Sequence, residues 1–361
     1  MARHLIKRCL LGAAALSFCV AAAMLFSLDE RWVLWRHAGA AEGRVPLAVL
    51  GDSDSHSYQD RVTFPVGTDA RGGRHADKTW QWVDVLQRLR GDEIDLGPWG
   101  TWGSRFPLLG RLQSELGLRH RRIQKQDFHQ NLARSGARCE DMNTGAQAQL
   151  PRLLDILDQD PQRWARGVVV IRIGINNVGI EPFMEGMARG DQPEQTTQGI
   201  DACVRHIRET LAGLRQRHPE TAVVLVGIFN NAHWARWLGR WHDPAALARI
   251  EAGLDRFDAG LKHLAATHAR TVFFDDRAWF VQRFGGRDAR GVPAYLDWQA
   301  TPWLKVTNSL GDTWQHAYLA DGHNGSVWNA AWAATLTGVL HEGLKLPVTP
   351  IAPAAWQGLF H

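Results

Sequence analysis

The stretch Val49-Leu50-Gly51-Asp52-Ser53-Asp54-Ser55-His56 decides how the rest of the chain is read. An apolar run, Pro46 to Leu50, ends in Gly-Asp-Ser. Such a run has the character of a buried strand. Gly51 lets the backbone bend, and Ser53 then projects at the strand's carboxyl end, where open α/β sheets place their ligands. A serine on that turn is a candidate nucleophile. The tripeptide alone also describes an ordinary strand-ending turn, so its weight rests on partners elsewhere in the chain.

Outward from this point, strand-like runs alternate with longer amphipathic stretches between about residues 45 and 345. Phe128 to Leu132, Val168 to Ile173, Ala222 to Ile228 and Thr271 to Phe274 read as further strands. Trp80, Val83, Leu86 and Leu89 recur at helical spacing, and Ala146–Leu157, Thr197–His218, Pro244–His268 and Ser326–His341 read as helices. Alternation of this kind predicts one α/β domain, a mainly parallel sheet with helices on both faces. Residues 91–126 and 276–320 lack clear periodicity and read as long loops over the active-site edge. The expected division is an N-terminal segment 1–28, a linker 29–44, a catalytic domain 45–345 and a Pro-containing tail 346–361.

Composition narrows the class. With 361 residues, 45% hydrophobic and 22% charged, the chain is an ordinary globular sequence. The net charge of +4 is modest, and no basic stripe interleaved with aromatics points to nucleic acid. Arg3, Lys7 and Arg8 precede an uncharged run from Cys9 to Leu28, which reads as an export signal. Ala21-Ala22-Ala23 suits cleavage, yet the run, at roughly 20 residues, is also long enough to stay as an inner-membrane anchor. Either way the remainder is expected outside the cytoplasm, in the periplasm or beyond. In the exported part only Cys139 and Cys203 remain, which in an oxidising compartment form a disulfide or else lie apart as buried thiols. The 16 histidines are scattered, with no metal-ligand spacing, and no cofactor is implied.

A serine nucleophile needs a base, and the base needs an orienting group. Asp321-Gly322-His323 offers both just before the last helix: His323 to take the proton from Ser53, and Asp321 to hold the imidazole. The attack also needs donors for the oxyanion. Asn131-Leu132-Ala133-Arg134-Ser135-Gly136 and Gly174-Ile175-Asn176-Asn177 each follow a predicted strand, offering the Gly136 N–H and the Asn176 amide. Each segment is also ordinary loop sequence, but their common placement at strand ends gathers them at one sheet edge. His56 is a rival base, disfavoured because it lies so close to Ser53 in sequence.

Taken together, the four segments resemble the SGNH (GDSL-type) hydrolase superfamily, in the same order and over roughly residues 45–342. The resemblance implies a three-layer α/β/α flavodoxin-like fold and an acyl-ester hydrolase. It assigns Ser53 as nucleophile, the Ser53 and Gly136 N–H groups with Asn176 as oxyanion hole, His323 as base and Asp321 as its partner. Two departures stand out. Asn177 replaces the aspartate common after the asparagine, and Asp321 precedes His323 by two positions where three is frequent.

Tryptophan is the other anomaly, with 17 in the chain. Gly97-Pro98-Trp99-Gly100-Thr101-Trp102-Gly103 suggests a stacking platform for sugar rings, with Trp99 and Trp102 as substrate-binding candidates beside Asp54 and Asn177. The plainer reading is a folded-over hydrophobic loop. Trp234, Trp237 and Trp241, at helical spacing, read as a core stripe. The sequence thus suggests an exported serine esterase acting on an acyl group, such as acetyl, carried by a polysaccharide. Its rivals are an acyltransferase that passes the same group to a glycan, as exported relatives in the superfamily do, and a non-catalytic glycan-binding module.

Overall fold

The computed structural model describes residues 41–103, 124–145 and 147–361, with residues 32–34, 36–37 and 115. The export segment expected within 1–28 lies outside the described residues. Among those that are described, no helix is long and apolar enough to cross a membrane.

The central sheet follows from β-branched runs. Strand β1 (Val45–Gly51) pairs with β2 (Ile94–Asp95) on one side and β5 (Val168–Arg172) on the other, and β6 (Ala222–Val226) and then β7 (Thr271–Phe274) continue the sheet beyond β5. All of these pairings are parallel. Counted within this sheet alone, the spatial order is 2-1-3-4-5, the doubly wound order whose ligand crevice opens where the chain reverses direction, between β1 and β5. Both strands are buried along their whole length, as parallel sheets covered on two faces require.

Side chains alternate between those faces with a period of two. Leu47, Val49, Val168, Val170, Ala222 and Val224 enter one core with helices α1 (Trp82–Arg90), α6 (Asp276–Phe284) and α7 (Ser326–Gly338). Ala48, Leu50, Val169, Ile171, Val223 and Leu225 enter the other with α2 (Gln149–Leu157), α3 (Glu181–Arg189), α4 (Pro193–Arg217) and α5 (Pro244–Thr267). The two long helices start where the sequence signals it: proline occupies the first turn of each, and the Asp243 carboxylate accepts from Ala245 and Ala246 at the start of α5. The three-layer α/β/α architecture is the one expected.

Three local expectations change. The strand read at Phe128–Leu132 is not a member of the central sheet. Instead β4 (Lys125–Phe128) pairs antiparallel with β3 (Trp99–Trp102) in a separate ribbon, and only Asn131 bridges to Val49 of β1. Residues 276–320 form α6, a β8–β9 ribbon (Gly285–Arg287, Pro293–Tyr295) and a three-stranded sheet of β10 (Trp298–Thr301), β11 (Leu304–Leu310) and β12 (His316–Tyr318). Apart from β11, these strands are only three or four residues long, too short to mark a strand in sequence. The residues read as a tail return to the core, where Leu346, Val348, Ile351, Trp356 and Phe360 are buried.

Candidate active site

The Ser53 turn is built from backbone restraints. A side chain at Gly51 would place Cβ 2.4 Å from the Arg172 carbonyl, so only glycine fits between β1 and β5 there. Gln149 clamps the same residue from both sides, accepting from the Gly51 N–H and donating to its carbonyl, each at 2.8 Å. One residue past Ser53, the Asp54 carbonyl accepts from Trp82 Nε1 at 3.0 Å and Arg172 Nη1 at 2.9 Å. Arg172 is itself buried and paired with Asp276 at 2.9 Å. Burial, with the Asp54 charge beside it, pushes the Asp52 carboxyl well up.

Asp321-Gly322-His323 is presented by a tight turn after β12. Leu319 N–H donates to the His323 carbonyl at 2.7 Å, and Gly322 N–H donates to the Leu319 carbonyl at 2.8 Å. Asp321 Oδ1 accepts from the backbone N–H of His323 at 3.1 Å and lies 3.1 Å from its Nδ1, which Arg71 Nη1 approaches to 2.7 Å. Its Oδ2 accepts from Arg71, through the backbone N–H at 2.9 Å and Nη1 at 2.5 Å. Burial opposes ionisation of Asp321, but the His323 hydrogen bond and the charges of His323 and Arg71 outweigh it and hold the carboxyl well below the usual carboxylate range.

On the far side of the crevice, Gly174, two residues past the end of β5, caps a helical turn, Ile175–Val178, which carries Asn176. Asn176 Nδ2 donates to the Ala137 carbonyl at 2.9 Å, joining this turn to the segment of Gly136. Gly136 has a φ of 78°, in the left-handed region that favours glycine, and a Cβ there would meet open space. The segment is drawn alongside β1 by Leu132 N–H to the Val49 carbonyl at 2.8 Å and Arg134 N–H to the Gly51 carbonyl at 3.1 Å. A disulfide, Cys139–Cys203, fastens its far end to α4, with the Cα atoms 5.1 Å apart.

A cavity of about 370 Å³ collects these groups: Ser53, Asp54, Asn176, Asp321 and His323 all line it. Gly136 does not; it lies one residue from the Ala137 carbonyl that Asn176 binds. Ser53 and His323 face the same cavity without a hydrogen bond between them, and such pairs often tighten only around substrate. The arrangement can deliver a hydroxyl nucleophile, an imidazole held through Nδ1 and an amide donor to one reacting carbonyl.

Other candidates fall elsewhere. Asn177 turns away from the cavity, its Oδ1 accepting from Cys139 N–H at 2.8 Å and its Nδ2 donating to Glu140 at 2.9 Å. His56 is fully buried; Ser135 N–H donates to its Nδ1 at 3.1 Å, so Nε2 carries the proton and donates to Asp60 at 2.8 Å. Both ring nitrogens are committed, and His56 braces the Gly136 segment rather than facing Ser53. Trp99 and Trp102 lie on the β3–β4 ribbon and do not line the cavity. Its aromatic wall comes instead from Trp234, Trp237, Phe229 and Tyr318. Trp234 Nε1 donates to the Gly322 carbonyl at 2.9 Å, between Asp321 and His323. The three-to-four spacing of Trp234, Trp237 and Trp241 resembles a helix face, yet Trp234 joins two short 3₁₀ turns, Trp237 ends the second and Trp241 lies beyond both. Arg71, Gln149 and Arg172 had no signal of their own, because each acts on a backbone or carboxylate remote in sequence.

Comparison with known proteins gives the family. The sequence profile described as the GDSL-like Lipase/Acylhydrolase family matches residues 49–294. The chain belongs to that family and is an ester-bond hydrolase. No curated protein matches it. Among solved structures it is similar to an extracellular lipase from Streptomyces rimosus, at 20% identity over 80% of this chain and 99% of that chain, with a TM-score of 0.35.

Proposed function

We propose that the chain is an exported serine esterase in which Ser53 is the nucleophile, His323 the general base and Asp321 its orienting partner. The observation that carries this is the convergence of Ser53, Asn176, Asp321 and His323, from three separate stretches of sequence, on one cavity with Asp321 Oδ1 3.1 Å from His323 Nδ1. With Nδ1 protonated toward Asp321, Nε2 keeps a lone pair for the Ser53 hydroxyl proton. Ser53 Oγ adds to the ester carbonyl, and the oxyanion meets the Asn176 amide and the Ser53 and Gly136 N–H groups. Collapse expels the alcohol, which takes its proton from His323. Water, deprotonated by the same imidazole, then releases the acid from Ser53.

For the substrate we infer a small acyl group, acetyl in the simplest case, on a carbohydrate alcohol. The indoles of Trp234 and Trp237 support this, since they offer flat apolar walls beside the nucleophile, with Asp54 able to bind a hydroxyl. The Cys139–Cys203 disulfide supports export, because such bonds persist in oxidising compartments. A reporter fused after residue 45 tests export: a signal confined to the cytoplasm rejects it.

The esterase reading is tested with wild type and Ser53→Ala on p-nitrophenyl acetate and acetylated glycans, together with fluorophosphonate labelling of Ser53. Loss of at least about 10³-fold in kcat on substitution is expected. Activity unchanged by Ser53→Ala would overturn it. An acetylated glycan product in place of free acetate would assign the same site to acyl transfer.

A further inference from the structure

Arg283 is half-buried with no acid beside it among the described residues. Arg71, Arg172 and Arg277 are also drawn out of solvent, and each is paired with a carboxylate: Asp321, Asp276 and Asp258. Arg283 sits in the last turn of α6. Burial alone acts on its ionisation, pushing it down to about 10 with no neighbouring charge to offset the lost water, so it stays a cation at neutral pH. Its guanidinium packs over indoles instead, 4.0 Å from the Trp279 ring and 5.6 Å from the Trp298 ring. Nη1 donates to the Trp279 carbonyl at 2.9 Å, one turn back along the helix. Nε and Nη2 find no protein acceptor among the described residues, and neither is sealed from solvent. Aromatic faces support a cation. They leave unused the planar fork of Nε–H and Nη2–H, which matches a carboxylate.

That side chain lines a groove of about 460 Å³ between α6 and α7, bounded also by β10 and by α8 (Pro353–Gln357). The groove is larger than the cavity of Ser53 and shares no residue with it. Trp298 and Trp356 line it with ring centres 5.9 Å apart. Trp356 is only 6% exposed, yet its Nε1, like that of Trp298, has no protein acceptor among the described residues and stays open to solvent. A buried indole N–H usually finds a partner. Gln282, on the rim, is exposed, and its amide bonds no protein group among the described residues. Indole surface, free N–H and amide donors and one uncompensated cation suit a sugar ring that bears an acid group. The ring's C–H face meets the indoles, its hydroxyls meet the free donors, and its carboxylate meets the fork. Arg283 is the one cation lining the groove, which matches a single negative charge rather than a phosphate dianion.

We propose that this groove binds an acidic saccharide, with Arg283 pairing with the carboxylate of a uronate ring and Trp298 and Trp356 lining the ring's apolar face. It is an anchoring site for a charged polymer, separate from the catalytic cavity. The proposal stands apart from the esterase reading, because binding here needs neither turnover nor any residue of the Ser53 cavity.

Isothermal titration calorimetry of the full-length protein with α-1,4-linked trigalacturonate, neutral maltotriose and inorganic phosphate tests it. Wild type should bind trigalacturonate saturably and maltotriose at least about tenfold more weakly, the charge-assisted pair making the difference. Arg283→Gln, which keeps a polar stem and loses the charge, should weaken trigalacturonate about tenfold or more and leave maltotriose unchanged. Gln282→Glu, at an exposed position where the fold is at little risk, should weaken trigalacturonate by repulsion, and it decides the matter if Arg283→Gln does not fold. Both variants should keep kcat/KM on p-nitrophenyl acetate within about twofold of wild type. Ser53→Ala should bind trigalacturonate as wild type does, so failure of the esterase reading leaves this test intact. No saturable binding of trigalacturonate by wild type up to about 10 mM, equal binding by a folded groove variant, or equal affinity for maltotriose would overturn the proposal. Inorganic phosphate binding as tightly as trigalacturonate would reduce the groove to a simple anion site and overturn the saccharide assignment.

Discussion

Two tryptophan regions of this protein look alike in composition and do opposite work. Trp99 and Trp102 flank glycines, as a sugar platform would, and belong to a two-stranded ribbon. Trp102 is 4% exposed, its Nε1 donating to the Asp127 carbonyl at 2.7 Å, while Trp99 is 39% exposed and rests edge-on against Phe128. Trp237 is buried in the core and Trp234 packs against it, as their spacing suggests, and both also wall the cavity beside His323. Indole content and spacing do not say whether a ring faces solvent, core or substrate. That depends on what the backbone between the rings does.

The comparison can be broken most sharply at Trp102. Replacing it by alanine removes a buried indole and should lower the unfolding free energy by about 3–5 kcal/mol, read from urea denaturation, with kcat of the folded variant within about threefold of wild type. A collapse of kcat in folded protein would bring the ribbon into the site. Next comes Trp234→Ala, which should lower kcat/KM on a bulky ester by about 10–100-fold with a smaller loss of stability, since it strips one wall of the cavity and frees the Gly322 carbonyl. Equal kcat/KM would return Trp234 to a packing role.

Each region also buries a histidine, and pH separates their contributions. Burial, with the charge of Lys125, lowers His56, whose partner Asp60 accepts from the β4 backbone at Gln126. Burial, with Arg287 and Arg277, lowers His233, next to Trp234, to about 4. Both folded values lie below that of the unfolded chain, so below about pH 6.5 the unfolded state takes up protons first. Their contribution is complete above that pH and is lost as pH falls, by up to about 1.4 kcal/mol per pH unit for each histidine. His56→Gln and His233→Gln should each flatten the acid side of a stability profile between pH 7.5 and 5. A slope that neither variant alters would show that these rings do not stay neutral. The smallest effect is expected at Trp99: Trp99→Ala should change stability by no more than about 0.5 kcal/mol and kcat/KM by less than about twofold. A tenfold loss on glycan esters alone would restore it as a platform.

Much of the fold was legible because it depends on repeating local patterns. The runs at Leu47, Val168, Ala222 and Thr271 are short, apolar and rich in β-branched residues, and each is a strand of the parallel sheet. The helix from Pro244 begins where proline and the Asp243 cap mark it, and the helix from Ser326 begins after Gly325 with no side-chain cap. The candidate site was legible in part for a related reason: Ser53 and Asn176 lie just past the ends of β1 and β5, adjacent strands of a doubly wound sheet, whereas His323 follows β12 of the separate three-stranded sheet. The β-insert at 285–318 was not legible, because all its strands but β11 are only three or four residues long, although each pairs with a neighbour in sequence. Asn177 was misplaced because one residue along a helical turn changes direction by about 100°, and sequence adjacency to Asn176 conceals that.

The sequence by itself determined the sheet, its layers, the family and the residue types that meet at the crevice, since hydrophobic periodicity and turn chemistry are properties of neighbours along the chain. Only the tertiary structure decided which indoles face the cavity, that His56 is a brace, and that Arg71 bonds Asp321. Those outcomes hinge on hydrogen bonds between groups far apart in sequence, and no local pattern encodes a partner about 250 residues away.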